Sequence, residues 1–303
     1  MQNLKNIFAL FFLLFSSTLY AQQAPEGTSS ELVILNVKTG VQKTILKEVR
    51  HFEAPNWSRD GKYLLINSGG QLEKVDFDGN KLEQILPDKI SRANNDHGLS
   101  FDGKLLVISK SDQGFGSRIY TVPLAGGEPK LITPAHPSYW HGISPDGKTL
   151  VYCAERNGLW DIYSIPTVGG AEKRLTDAEG LDDGPEYSYD GKWIYFNSNR
   201  TGRMHAYRMK PDGTGAEQLT NDALDNWFPH PSPDNKSAVI ISYLEDQKGS
   251  HPFGKDVKLR LLDVESKEIK DLTPVFYGGQ GTINVHSWSP DGEWIAFVRY
   301  HKP

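Results

Sequence analysis

Four of the nine histidines in this 303-residue chain share one register. His97, His141, His230 and His286 each stand two or three residues before the serine of a recurring S-x-D-[GN] motif. Asn56 and Glu186 occupy the same register before Ser58 and Ser188. Neutral imidazole and carboxylate are common ligands of divalent ions. His97, Glu186, His230 and His286 are therefore a candidate metal set, for an ion such as manganese or calcium. Such an ion would stabilise a substrate carboxylate and acidify its α-proton. His141, or Tyr139 close by, would then remove that proton as general base. Two blander readings stand beside this one. The histidines could line a water-filled polar channel and be merely hydrogen-bonded, or they could bind sugar without metal. No HExxH motif is present.

The elements that position these residues follow from the repeat. The motif occurs six times, at Ser58, Ser100, Ser144, Ser188, Ser232 and Ser289. Its aspartates are Asp60, Asp102, Asp146, Asp190, Asp234 and Asp291, spaced by 42, 44, 44, 44 and 57 residues. Each copy reads as a tight turn, since Asp bonds its own downstream backbone and Gly or Asn accepts positive φ. An apolar, β-branched and aromatic run follows each turn, as in TLVYCAE and WIYFNSN. An alternating strand comes next (RIYTVPL, DIYSIPT), then a Gly-containing turn in most copies, then a short fourth strand (KLIT, KRLT, EQLT, KDLT). Four short antiparallel strands at this period predict a six-bladed β-propeller, an all-β fold.

The last copy ends after two strands, at Tyr300, and two unclaimed strands lie near the start (ELVILNVKTG, VQKTILKE). The sixth blade is therefore expected to combine both ends of the chain, which hides the edges an open array would expose. In such a ring the S-x-D-[GN] turns lie on one face. The segments entering the first strands, and the loops from second to third strand, lie on the other. First strands line the central channel, so the side chains before each serine converge there.

Other residues on the candidate face bear on binding. Trp140 and Trp227 precede first strands and could stack on sugar rings or anchor a protein partner. Trp57 and Trp288, directly before serines, are expected to pack between blades. Arg156 and Arg200 end neighbouring second strands, where they could bind carboxylate or brace their own loops. With Asn56 these residues make up the candidate ligand-binding set. Two long insertions, 244–256 and 274–284, flank the fifth blade and account for the 57-residue spacing. Long loops on a rigid ring are common carriers of function. The GGQG stretch lacks the Lys-Ser/Thr and helix of a phosphate loop.

Composition narrows the classes. A formal charge of −5, without a Lys/Arg stripe, argues against a nucleic-acid partner. The lone cysteine, Cys153, excludes an intramolecular disulfide and sits in an apolar run, as a small buried hydrophobe would. Lys5, the apolar run from Ile7 to Phe15 and a small-residue site ending at Ala21 read as a signal peptide over residues 1–21. Residues 22–303 are then one exported propeller, periplasmic or secreted, without stable membrane insertion and monomeric.

Repeats such as ISPDGKTLVYCAERNGLWDIYSIPTVGGAEKRLT resemble the WD-like repeats of the TolB-type propeller over essentially the whole mature chain. TolB carries an α/β domain before its propeller, for which this chain has no room, and it binds a peptidoglycan-associated lipoprotein. The resemblance implies an envelope module that binds a protein or glycan through one face. Propellers of prolyl-oligopeptidase-like enzymes have similar repeats, but no G-x-S-x-G elbow is present here. The segment Gln280 to His286 (QGTINVH) is similar in kind to the Gln/His cluster of oligogalacturonate lyases, with Asn284 where another histidine would stand. That resemblance implies a metal site extended by Gln280 and Asn284, and a lyase acting on uronate oligosaccharides.

Overall fold

A computed structural model describes residues 24–86, 89–112 and 114–303. The expected signal segment, 1–21, lies outside the described residues. Six antiparallel sheets form the ring, and their strands follow the repeat. Blade three is representative, with strands Ser138–Ile143, Thr149–Arg156, Leu159–Pro166 and Lys173–Arg174. Six apolar clusters fill the ring, each packed between adjacent blades.

The S-x-D-[GN] turns form as their chemistry requires. Ser144 Oγ donates to Asp146 Oδ1 at 2.6 Å and accepts from the Thr149 amide at 3.0 Å. Asp146 Oδ1 also accepts from the Lys148 amide at 3.1 Å. The serine–aspartate bond recurs in all six copies. Gly147 closes its turn at φ +71°, and Asn235 does the same at φ +60°.

Ring closure takes the expected form. Strand Ser29–Asn36 pairs antiparallel with Trp294–His301, from Ser29↔His301 to Asn36↔Trp294, and also with Gln42–Glu48. Two blades depart from four regular strands. Blade five gains a strand, Phe276–Gly278, which pairs with Lys255–Asp263. The innermost segment of blade six is irregular and joins its neighbour by a single bridge, Trp288↔Ile295. The insertion at 274–284 explains both. Its first half adds to blade five, and Gly279 and Gly281 (φ +115° and +88°) then turn the chain inward. A Cβ at Gly281 would meet Tyr300 Oη at 2.4 Å and Glu53 Oε2 at 2.6 Å, so only glycine passes there.

Phe297 tests the closure. It is fully buried in the cluster between blades five and six, opposite Val33 in the closing ladder. Phe297→Ala is expected to cost about 3–5 kcal/mol. Urea unfolding would register this as a lower midpoint at unchanged slope. A loss below about 1 kcal/mol, within the range of ordinary surface changes, would show that the closing strands do not carry the ring.

Candidate functional site

The channel side chains are aimed by bulges. Each regular innermost strand shifts register once, between Glu53/Asn56, Ala93/His97, Trp140/Gly142, Asp183/Glu186 and Trp227/His230. A bulge re-aims the residues beside it. Ala54 (φ +52°), Gly184 (φ +62°) and Phe228 (φ +49°) hold left-handed backbone within three of these bulges. For Phe228 that conformation is costly and must be held by its surroundings. Its ring, 2% exposed, stacks on His141 at 5.7 Å and meets the His251 ring at 5.1 Å.

Midway along the channel, Glu186 joins two histidines. Its Oε2 lies 2.6 Å from His230 Nδ1, and its Oε1 lies 2.9 Å from His286 Nδ1. His230 Nε2 lies 2.6 Å from the Ile283 carbonyl oxygen, so both nitrogens of that ring face acceptors and both donate. His286 Nε2 lies 2.8 Å from the Tyr189 hydroxyl. Burial pushes the Glu186 carboxyl up, but His230 and His286 together outweigh it and hold it at about 2. Burial, helped by the positive charge of Arg59, moves His286 below its ordinary value despite Glu186. A neutral His286 then donates through Nδ1 and accepts the Tyr189 proton at Nε2.

Nearer the opposite face, Asp183 sits between two further imidazoles. Its Oδ1 is 3.3 Å from His141 Nε2, and its Oδ2 is 3.5 Å from His251 Nε2. Asp96 Oδ1 stands 4.0 Å from His141 Nε2. Burial would strip the proton from His141, but Asp96 and Asp183 overcome it and raise the ring to about 9. Asp183, against its own burial, is held well below the usual carboxylate range by the two histidines. Asp96 goes the other way, up to about 6, because burial and Asp183 outweigh the help of His141. Tyr139 is pushed upward by burial and then by Asp96. These carboxylates favour the protonated forms of both His141 and Tyr139, which works against a general-base role for either.

The structure sorts the remaining candidates. Glu186, His230 and His286 are brought together, but His97 is sealed at 0% exposure and burial lowers it to about 4. Asn284 Oδ1 accepts from the Gly281 amide at 2.6 Å, and the Gln280 backbone amide donates to Pro252 O at 3.3 Å. This donor set does not fit a divalent ion. His230 has no lone pair to offer, that of His286 is taken by Tyr189, and both Glu186 oxygens are engaged. Among the described residues no group of three or more His, Cys, Asp or Glu side chains is arranged to hold a metal ion.

Trp140 and Trp227, for which stacking on a sugar, anchoring a partner and packing between blades were all open, are buried. The Trp140 ring presses on the backbone of Gly98, where a Cβ would come within 2.5 Å, and Trp227 packs on His251 at 4.6 Å. Asn56 is also buried and donates to the His286 carbonyl at 2.7 Å. Arg156 grips Glu172 through Nε and Nη2 and donates to the Pro137 carbonyl at 2.9 Å. Arg200 grips both oxygens of Asp182. Both arginines brace their loops. Cys153 is buried, and its Sγ donates to the Asp182 carbonyl at 3.2 Å.

Asp96 and Asp183 were missing from the sequence-derived set, whereas His251 was expected on the candidate face through its loop. Asp96 and Asp183 stand in NDHG and DDGPE, one or three residues before members that were chosen, so the register itself held the signal. An apolar ledge lies at the loops of the same face. Tyr139 lies against Trp160 at 5.9 Å, and Phe115 against His136 at 5.5 Å. Leu159 and Phe115 are 50% and 51% exposed.

The carboxylates give His141 a definite pH signature. A histidine raised to about 9 stabilises the fold fully below its ordinary value near 6.5, and that contribution is lost as pH rises through 9. Asp183→Asn is expected to move the His141 titration downward by NMR and to reduce this alkaline loss, the share held by Asp96 remaining. An unchanged His141 titration would show that Asp183 does not hold its charge.

The comparisons agree with this architecture. The TolB β-propeller domain is matched over residues 137–302. An uncharacterised protein of Agrobacterium fabrum (strain C58) is 45% identical over 288 residues, covering 94% of this chain and 98% of the relative. A solved structure from Agrobacterium tumefaciens, described provisionally as a TolB, superposes with TM-score 0.85 at 44% identity over 91% of this chain and 99% of its own. An oligogalacturonate lyase in complex with manganese superposes with TM-score 0.54 at 18% identity, over 88% of this chain and 78% of the lyase, a likeness of fold alone. The chain belongs to the TolB β-propeller family.

Proposed function

We propose that the protein is an exported, monomeric binding propeller of the cell envelope, taking a protein or glycan partner on the face that carries Asp183, His251 and Tyr139. The observation behind this reading is the pairing of a polar mouth with an aromatic ledge. Asp96, Asp183, His141 and His251 cluster at one end of the channel. Buried polar atoms there, Asn95 Nδ2, His141 Nδ1 and His251 Nδ1, have no hydrogen-bond partner among the described residues. Tyr139, raised first by burial, is near enough for Asp96 and Asp183 to raise its hydroxyl further, and Trp160 lies against Tyr139. Leu159 and Phe115, at the loops of the same face, are half exposed. Binding sites combine apolar and aromatic area with a few fixed polar groups in this way. The insertion 244–256 frames the mouth by bringing His251 onto Asp183.

The ledge separates this reading from its rivals. Trp160→Ala with Leu159→Asp is expected to weaken capture of an envelope protein, or binding of cell-wall oligosaccharides, by about tenfold or more, as loss of an aromatic anchor does. Val168→Asp, on an exposed loop at the rim (73% exposed), serves as control and is expected to change nothing. A chelator is expected to leave binding intact. Equal losses in ledge and control variants would overturn the assigned face. Manganese-dependent formation of unsaturated product from uronate oligosaccharides would replace the binding reading with the lyase.

A further inference from the structure

The second position of each S-x-D-[GN] motif carries Arg59, Phe101, Pro145, Tyr189, Pro233 or Pro290. The prolines do a structural job. Pro145, Pro233 and Pro290 each pack on the glycine of the next blade's turn, at 3.4–3.7 Å from where its Cβ would stand. The three bulky residues meet one another at the channel end. The Arg59 guanidinium lies 4.4 Å over the Phe101 ring, and Phe101 meets Tyr189 edge to face at 5.3 Å. With Trp57, Trp288 and Pro290 they line a half-open cavity of about 150 Å³. This cavity is on the turn face, opposite the mouth discussed above.

We infer that this cavity is a binding site for a small carboxylate carried on a compact apolar body. Three observations point there. Arg59 is the only charged side chain lining the cavity, and a guanidinium is a planar fork matched to a carboxylate. One of its donors is used on the Leu99 carbonyl at 3.0 Å, while Arg59 Nε is buried without an acceptor. Trp57 Nε1, on a wall residue only 6% exposed, is likewise a buried donor without an acceptor. Unpaired buried donors are costly and rare, so an acceptor reaching the guanidinium through the cavity is favoured over a donor. The walls are otherwise aromatic, and a cavity of about this volume takes a body the size of benzene. A bare tetrahedral anion would leave those walls unfilled.

The site also touches the interior. Tyr189, on its wall, bonds His286, which continues through Glu186 to His230. Trp288 Nε1 donates to the His230 carbonyl at 2.9 Å.

The test titrates the full chain with benzoate, benzyl alcohol, benzylamine and inorganic phosphate at constant ionic strength, following tryptophan indole N–H signals by NMR. Benzoate is expected to shift Trp57 and Trp288 saturably and to leave the other five indoles in place. Benzylamine and phosphate are expected to leave all seven unmoved, and benzyl alcohol to bind at least about tenfold more weakly, about 1.4 kcal/mol. Arg59→Met is expected to lower benzoate affinity by at least the same factor with an unchanged far-ultraviolet spectrum. Should that variant not fold, the four-ligand comparison on the unaltered chain decides alone. No saturable benzoate shift, equal binding of benzylamine or benzyl alcohol, or tighter binding of phosphate would each overturn the site.

Discussion

The pairing of Ser29–Asn36 with Trp294–His301 is the constraint on which the rest of the molecule rests. A ring of sheets has no stable edge until its last blade is shared by the two ends of the chain. Two of the six interblade clusters contain side chains from these closing strands: Val33, Leu35 and Phe297 face blade five, while Leu32, Ile34 and Val298 face blade one. Alternation along a single strand thus serves two cores at once. The circumference set by this closure also sets how far each innermost strand stands from the channel axis. Every contact across the channel, including the link from Glu186 in blade four to His286 in blade six, depends on it.

Within that fixed circumference, electrostatics dictates the arrangement of the interior. A buried carboxylate is tolerable only when charge and hydrogen bonds compensate its lost hydration. Glu186 and Asp183 meet this requirement in the same way at two depths, each placing its two oxygens against two imidazoles. Asp96 has only a distant share of His141, and its carboxyl accordingly drifts up to about 6. This doubling leaves the paired histidines few free donor atoms for an ion. His141, His230, His251 and His286 are each committed to a carboxylate, while His97 is sealed without one.

The ring was legible in the sequence because its signal is local and repeated. The serine hydroxyl, the aspartate and the positive-φ Gly or Asn of each turn interact within five residues, so spacing alone places them. The convergence of Glu186, His230 and His286 was legible for the same reason, since a shared register implies a shared depth. What escaped depends on non-local geometry. The bulges change which side chains face the axis, so Trp140 and Trp227 turn inward to packing while Asp96 and Asp183 reach the mouth. The irregular first segment of blade six follows from where the insertion at 274–284 adds its strand, which no pattern within 284–289 reveals.

The two ends of the channel differ in sign because they arise from different parts of the repeat. At the entry end the strands begin in loops of variable length, where Asp96, Asp183 and His251 gather and carboxylates set the local charge. At the turn end every blade must make the same tight S-x-D-[GN] corner, and only the second position is free to vary. Proline there closes the gap to the neighbouring turn. Arg59 keeps that contact through its Cβ, 3.7 Å from where a Cβ of Gly103 would stand, whereas Phe101 leaves Gly147 uncovered; with Tyr189 they put one positive charge among aromatic rings. Between the ends, Tyr189, His286, Glu186 and His230 form an unbroken run of hydrogen bonds. A neutral His286 can lie between a phenol donor and a carboxylate acceptor only in one tautomer. That single tautomer ties the Tyr189 hydroxyl at the turn end to the Glu186 carboxylate at mid-channel.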